Sequence, residues 1–349
     1  MTATLHVDLT ALVANITRVR EAVAPAELML VVKDDAYGHG LAPVVRAAAG
    51  AGLRWFGAFD IGTARAVRGE LGEDVRIFAW IAAAHADLRA AAEAGIDLGV
   101  GDADLLEDAA AAAGRVGRPL RVHLKLDTGL HRNGVRPEAW PRFVSRAAAL
   151  EAEGALDVVG IWSHIAEASD DEDDDARALF ERGLQQAHDA GLRPVVRHLA
   201  ASAASFARPE FRYDMVRVGA FCYGIRSAGG PFAGQLGLVP IARLEAEVLG
   251  VGEDGVRVDV GALHGLPSRL EGRASVATPA GTRRLLSVGE MDSLIAAWPG
   301  AAPGDRVIVY GSGADGEASA TDLAELIGTI GEEIAVRVSP LVPRSYAVE

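Results

Sequence analysis

Residues 27–49 read ELMLVVKDDAYGHGLAPVVRAAA: an apolar run that stops at Lys33, a turn punctuated by glycine, then a helix-forming stretch. The same succession recurs down to about residue 218. Apolar, strand-like runs fall at Glu27–Lys33, Trp55–Ala58, Val75–Ala79, Asp97–Val100, Arg121–Leu126, Val158–Trp162, Val195–Leu199 and Met215–Val218. Between them, segments such as Ala42–Ala49, Ile61–Glu70, Ala86–Ala94 and Asp175–Ala190 carry helix-forming composition and glycine stops. Eight strands in βα alternation predict an α/β fold with a closed (β/α)8 barrel of the TIM type, not an open doubly wound sheet.

Beyond about residue 235 the texture changes. Short β-prone runs at Ala242–Val248, Val256–Val260, Ser275–Ala277, Arg306–Val309 and Ile334–Val338 are separated by Gly/Pro punctuation, which predicts a small, mainly antiparallel β domain. The Gly-rich stretch Ser227–Gly237 reads as the boundary. The expected organisation is an N-terminal strand within residues 1–10 that joins the C-terminal domain, a barrel over 11–232 and a β domain over 233–349.

The 349 residues, half of them hydrophobic, suffice for one large core and a smaller one. A net charge of −14 argues against nucleic acid or an anionic membrane as a main partner, since both call for a basic footprint. No apolar run is long enough to span a bilayer, and the start, MTATLHVDLT, lacks the features of a signal peptide. A cytoplasmic protein is expected. The single cysteine, Cys222, excludes an internal disulfide and lies in an apolar stretch, so it reads as core. Six acids from Asp170 to Asp175 read as a solvated helix start; they lack the ligand geometry of a metal site.

Only two lysines occur, Lys33 and Lys125, among 34 basic residues. Where generic positive charge is needed the chain uses arginine, so a retained lysine marks chemistry that a guanidinium cannot do, such as imine formation. Barrel enzymes hold their chemistry at the C-terminal ends of the strands. Lys33, Asp35, Tyr37 and His39 follow the first expected strand, Lys125, Asp127 and Arg132 the fifth, and His164 the sixth. His198 and Ser202 follow the seventh, and Arg217 and Gly219 the eighth. A lysine at the foot of a buried strand is a candidate nucleophile. HLAASAAS and RVGAFCYG combine a hydroxyl with small residues, as a phosphate cradle needs. Together these features point to a phosphorylated aldehyde cofactor.

VVKDDAYGHG closely resembles the cofactor-lysine segment of the alanine racemases, the fold-type III pyridoxal 5′-phosphate (PLP) enzymes. KLDTGLHRNG, WSHIAEAS, HLAASAAS and MVRVGAFCYGI follow in that family's order, and RLEGRASV, PGDRVIVYG, IGTI and LVPRSY resemble its C-terminal domain. The resemblance implies that Lys33 carries PLP as an aldimine and serves as one of two proton-transfer bases at Cα of a small amino acid. It gives the phosphate to Tyr37, Ser202, Gly219 and Ala220, and sets Arg217 against the pyridine nitrogen. Arg132 is implied near cofactor and substrate, oriented by Lys125, which is carbamylated in many relatives, and His164 behind the second base. It further implies a homodimer whose sites are each completed by the partner's β domain.

The resemblance breaks at that second base. The family's tyrosine segment, VGYADG-like, reads VGALHGLP here, with Ala262 in the tyrosine's place. RVSMDQ becomes VGEMDS, which keeps Met291 as a substrate-side residue, and INYE becomes IGEE, with Glu332 at the second tyrosine. A methyl group cannot return a proton, so racemisation needs another acid, and His264, Glu332 and water are the candidates. The alternatives are one-base PLP chemistry (decarboxylation, transamination or elimination) and a non-catalytic PLP-binding protein.

Overall fold

The computed structural model describes residues 2–167 and 169–347. Two compact units divide the chain: Val19–Lys33 with Gly52–Gly219, and Met1–Arg18 with Asp34–Ala51 and Ala220–Glu349.

Strand β1 (Thr4–Asp8) belongs to the second of these units. The first unit holds eight strands: β2 (Glu27–Val31), β3 (Trp55–Asp60), β4 (Arg76–Ile81), β5 (Asp97–Val100), β6 (Leu120–Lys125), β7 (Leu156–Trp162), β8 (Val196–His198) and β9 (Met215–Val218). All neighbours pair parallel, and β9 returns to β2 with Glu27 opposite Met215, so the barrel closes as expected. The strands are buried on both faces, which is why they read as continuous apolar runs.

Inside lie Met29, Phe78, Trp162, Val196 and Met215, with Trp55 and Trp80 packed against them. Polar groups share this interior: Asp97, His123 and His198 have no exposed surface. Gly160 is required there, because a Cβ at that position would collide with the His123 ring. The acidic run opens a helix, Asp170–Asp189, whose N-cap Ser169 accepts from the Glu172 amide at 3.3 Å. Four acids in its first turn complement the helix dipole.

In the second unit β1 pairs antiparallel with β10 (Ala242–Gly252) and parallel with β16 (Arg344–Ala347). β10, β11 (Gly255–Val258), β14 (Ser293–Ile295), β13 (Gly281–Val288), β12 (Ser275–Thr278) and β15 (Arg306–Tyr310) pair in a ring closed by β10 against β11. Every pairing within that ring is antiparallel.

One expected strand is corrected. Ile334–Val338 lies largely in a helix, Gly331–Arg337. Gly331, Ile334, Ala335 and Val338 are buried, at i, i+3, i+4 and i+7, so the apolar residues keep a helical period that a short β-branched run conceals. β13, β14 and β16 are strands that the sequence reading missed; in β13 (GTRRLLSV) only Leu285 is buried. Cys222 is buried core, as expected.

Candidate active site

The barrel strand β2 stops at Val31, so Lys33 follows the strand instead of closing it, and it is half-buried rather than buried. The four residues after it, Asp34 to Tyr37, all have φ between 53° and 56°. A run of four non-glycine residues in the left-handed region costs about 1–2 kcal/mol per residue. Such strain persists only where the surroundings hold it, and it concentrates at functional positions.

Within the barrel unit, the remaining expected residues converge. Arg217 on β9 is 6% exposed. Its guanidinium donates to the carbonyls of Ser163 (2.8 Å) and Leu199 (3.0 Å), to His198 Nδ1 (3.1 Å) and to His164 Nδ1 (3.2 Å). Burial, then the charge of Arg132, brings it down to about 9, so it remains a cation at neutral pH. His164, after β7, is lowered to about 3 by burial and then by Arg217, Arg132, Lys125 and Lys33. His164 is therefore a neutral acceptor with four cationic groups around it.

Lys125, the last residue of β6, is 7% exposed, with Nζ 4.5 Å from the centroid of the Trp162 ring. Burial, then Arg217 and Arg132, lowers its amine to about 8. Arg132 is exposed, Ser202 is half-buried at the start of a short helix, and Gly219 is buried. Asp127 builds the turn that carries Arg132: it accepts from the Gly129 and His131 amides at 3.1 and 3.0 Å.

In the other unit Tyr37 is buried, with its ring 4.9 Å from that of Tyr223, and burial and then the carboxylate of Glu332 push its phenol above the usual range. Ala220 is buried, Ala262 is exposed and Met291 is 47% exposed. Two expectations need correction. His264, a candidate acid in the sequence, is fully buried, and its Nδ1 accepts from the Gly261 amide at 2.9 Å. His39 is also buried instead of lining a rim, with Nδ1 2.9 Å from the Ala36 carbonyl and its ring stacked on Tyr223. Both rings satisfy tight local turns, which a sequence does not announce.

The sequence reading singled out His198 but missed its polar partners in the barrel interior, His123 and Asp97 with Arg76 and Arg121. His198 Nε2 lies 2.8 Å from His123 Nδ1, and His123 Nε2 lies 3.5 Å from Asp97 Oδ2. Asp97 also meets Arg76 and Arg121, each at 2.5 Å. The signal available was a charged residue opening an otherwise apolar strand.

Family models for the alanine racemase N-terminal domain and C-terminal domain match residues 7–227 and 255–346. The chain belongs to the alanine racemase family. It is 39% identical to an alanine racemase of Beutenbergia cavernae, over 97% of this chain and 96% of that one. It is 38% identical to one of Salinispora tropica, over 99% and 98%. The solved alanine racemase from Streptomyces coelicolor A3(2) superposes with a TM-score of 0.96 at 34% identity, covering all of this chain and 98% of that one. That from Corynebacterium glutamicum gives 0.88 at 30%, covering 99% of each. Alanine racemases are isomerases that use pyridoxal 5′-phosphate, so the cofactor and enzyme class expected from the sequence stand. Among the described residues no helix is long and apolar enough to cross a membrane.

Proposed function

We propose that this chain is a PLP-dependent enzyme that moves the Cα proton of a small amino acid, with the Lys33 amine as its proton carrier. The observation that carries this reading is the buried Arg217, which donates to the Ser163 and Leu199 carbonyls, to His198 and to His164, with the charges of Arg132, Lys125 and Lys33 also acting on His164. That donor set suits a cofactor and substrate bearing phosphate, phenolate and carboxylate. In this reading Lys33 would hold the coenzyme through its aldehyde, and Tyr37, Ser202 and the backbone at Gly219 and Ala220 would hold its phosphate. Arg217 serves the ring nitrogen; as a cation that only donates, it does not protonate that nitrogen. Arg132, steadied by Lys125 once that amine is carbamylated, would receive the substrate carboxylate, and Met291 would border the substrate. The coenzyme, when bound, supplies the electron sink that acidifies Cα–H.

For the second base this reading keeps the departure that the family resemblance implies at Ala262. Ala262 presents an exposed methyl, and His264 is turned inward onto its own turn. Glu332 lies within electrostatic reach of Tyr37, which leaves it as the remaining side-chain candidate for a second acid. This departure favours a second reading, in which Lys33 works alone and one-base reactions (decarboxylation, transamination, elimination) replace inversion. The dimer completed by a partner's β domain belongs to both readings.

Each alanine enantiomer is incubated in D2O with the cofactor-loaded protein, and Cα–H loss and chirality are followed together. A lone Lys33 predicts exchange with retention for one enantiomer only. Ala262→Tyr then raises inversion by about 10²-fold, the usual yield of a positioned acid. Absence of exchange for both enantiomers, with no coenzyme trapped on Lys33 by borohydride, overturns the proposal.

A further inference from the structure

We infer that Asp97 and His123 are positioning residues for Arg217, linked to it by a chain of hydrogen bonds that runs through the barrel interior in one direction only. The inference rests on the reading of Arg217 as the partner of the coenzyme ring nitrogen.

The direction follows from the chemistry of the two ends. A guanidinium has donors and no acceptor, and an ionised carboxylate has acceptors and no donor. Arg217 therefore donates to His198 Nδ1, at 3.1 Å. A neutral His198 then carries its proton on Nε2 and donates to His123 Nδ1, at 2.8 Å. His123 in turn carries its proton on Nε2, directed at Asp97 Oδ2 at 3.5 Å. Both imidazoles are fully buried and are pulled down by burial first, which keeps them neutral. Burial alone would raise Asp97, but the His123 hydrogen bond and the charges of Arg76 and Arg121 hold it below the ordinary carboxylate range.

Each link spans a different strand: β9, β8, β6 and β5. Asp97 at the start of β5 thus determines which nitrogen His198 offers near the end of β8. An acceptor at His198 Nδ1 holds the guanidinium, whereas an N–H there would oppose it donor to donor. The ring stack fixes the geometry: His198 lies parallel to Trp162 at 5.7 Å and edge-on to Phe78 at 5.3 Å, and Gly160 leaves the room that His123 occupies.

Asp97→Asn is the test. At the Oδ2 position the amide nitrogen would also face the Arg76 guanidinium, so the variant is made together with Arg76→Ala: the amide oxygen then accepts from Arg121 and the amide nitrogen donates to His123 Nε2, which reverses both tautomers and turns His198 Nδ1–H onto Arg217. Histidine-selective 15N NMR on the full-length, cofactor-loaded protein reads the tautomers directly. The expected result is neutral Nε2–H for both rings in the unmutated chain, and Nδ1–H for both in the double variant. With it kcat falls by about 10-fold and KM stays within about two-fold, because orientation and not substrate binding is lost. A cationic ring or an Nδ1–H tautomer in the unmutated chain overturns the inference, as does an unchanged His198 in the double variant. Should that variant fail to fold, the tautomers of the unmutated chain still decide. Borohydride trapping at Lys33, read on the same samples, separates failure of this relay from failure of the cofactor reading.

Discussion

Glu332 and Lys125 show how one side chain sets the terms for its neighbours. Glu332 puts negative charge beside Tyr37, the hydroxyl proposed for the phosphate. A phosphate dianion is repelled there, so Glu332→Gln should tighten PLP binding by about 10-fold, one pKa unit's worth of interaction, as read by cofactor titration. An unchanged affinity would separate Glu332 from the phosphate site. Lys125 is lowered to about 8 by burial and by Arg217 and Arg132. A neutral amine is needed to add carbon dioxide, and the flanking cations favour the anionic product. With 13C-bicarbonate, a carbamate signal should grow as pH rises from about 7 to 9, and Lys125→Ala should lack it. The stability sign runs with it. Because the folded amine sheds its proton at lower pH than the unfolded one, the unfolded chain binds more protons between about 8 and 10.5, and stability rises with pH across that window. Lysine scarcity made Lys33 and Lys125 conspicuous in the sequence. The inward turn of His264 left no such trace, since it depends on one backbone amide 2.9 Å away.

Among the elements, the segment after Lys33 is the most demanding. Asp34 is exposed with φ 53° and ψ 51°. Glycine there relieves about 1–2 kcal/mol of left-handed strain and costs about 0.5–1 kcal/mol of unfolded-chain entropy. Asp34→Gly should therefore stabilise the chain by about 0.5–1 kcal/mol, seen as a higher Tm, and a lower Tm would mean that its carboxylate is used. Asp35 is a poorer choice, because its Oδ1 accepts from the Leu41 amide at 2.7 Å. The segment VVKDDAYGHG carried the family resemblance, yet its composition does not dictate four left-handed residues: aspartate tolerates this conformation at positions 34 and 35, but Ala36 and Tyr37 do not signal it. The barrel strands were legible because burial on both faces leaves unbroken apolar runs. β13 was not, because its alternation is filled by arginines and serine.

For the molecule as a whole, the β-domain segment around Ala262 is also an apolar outcrop. Leu263 is 57% exposed and Met291 47%, and the Leu263 amide donates to the Glu290 carbonyl at 2.9 Å, which brings the two segments together. We expect this outcrop to be covered in a homodimer. Sedimentation should give a dimer, and Leu263→Asp should weaken it by at least about 10-fold, or 1.4 kcal/mol. Added salt should tighten the pair, since each copy carries −14. A monomer at all concentrations would refute the expectation.

The pairing of β1 carries a consequence for biosynthesis. Leu5 lies opposite Leu244, and its other neighbour is Arg344. During translation the earliest strand therefore emerges long before either flank exists, and ring closure by β10, β15 and the rest can start only after the whole barrel has left the ribosome. Until then a short apolar ribbon with unpaired amides travels with the nascent polypeptide. The C-terminal sheet is the last part of the molecule to mature, and its first strand waits longest for its partners.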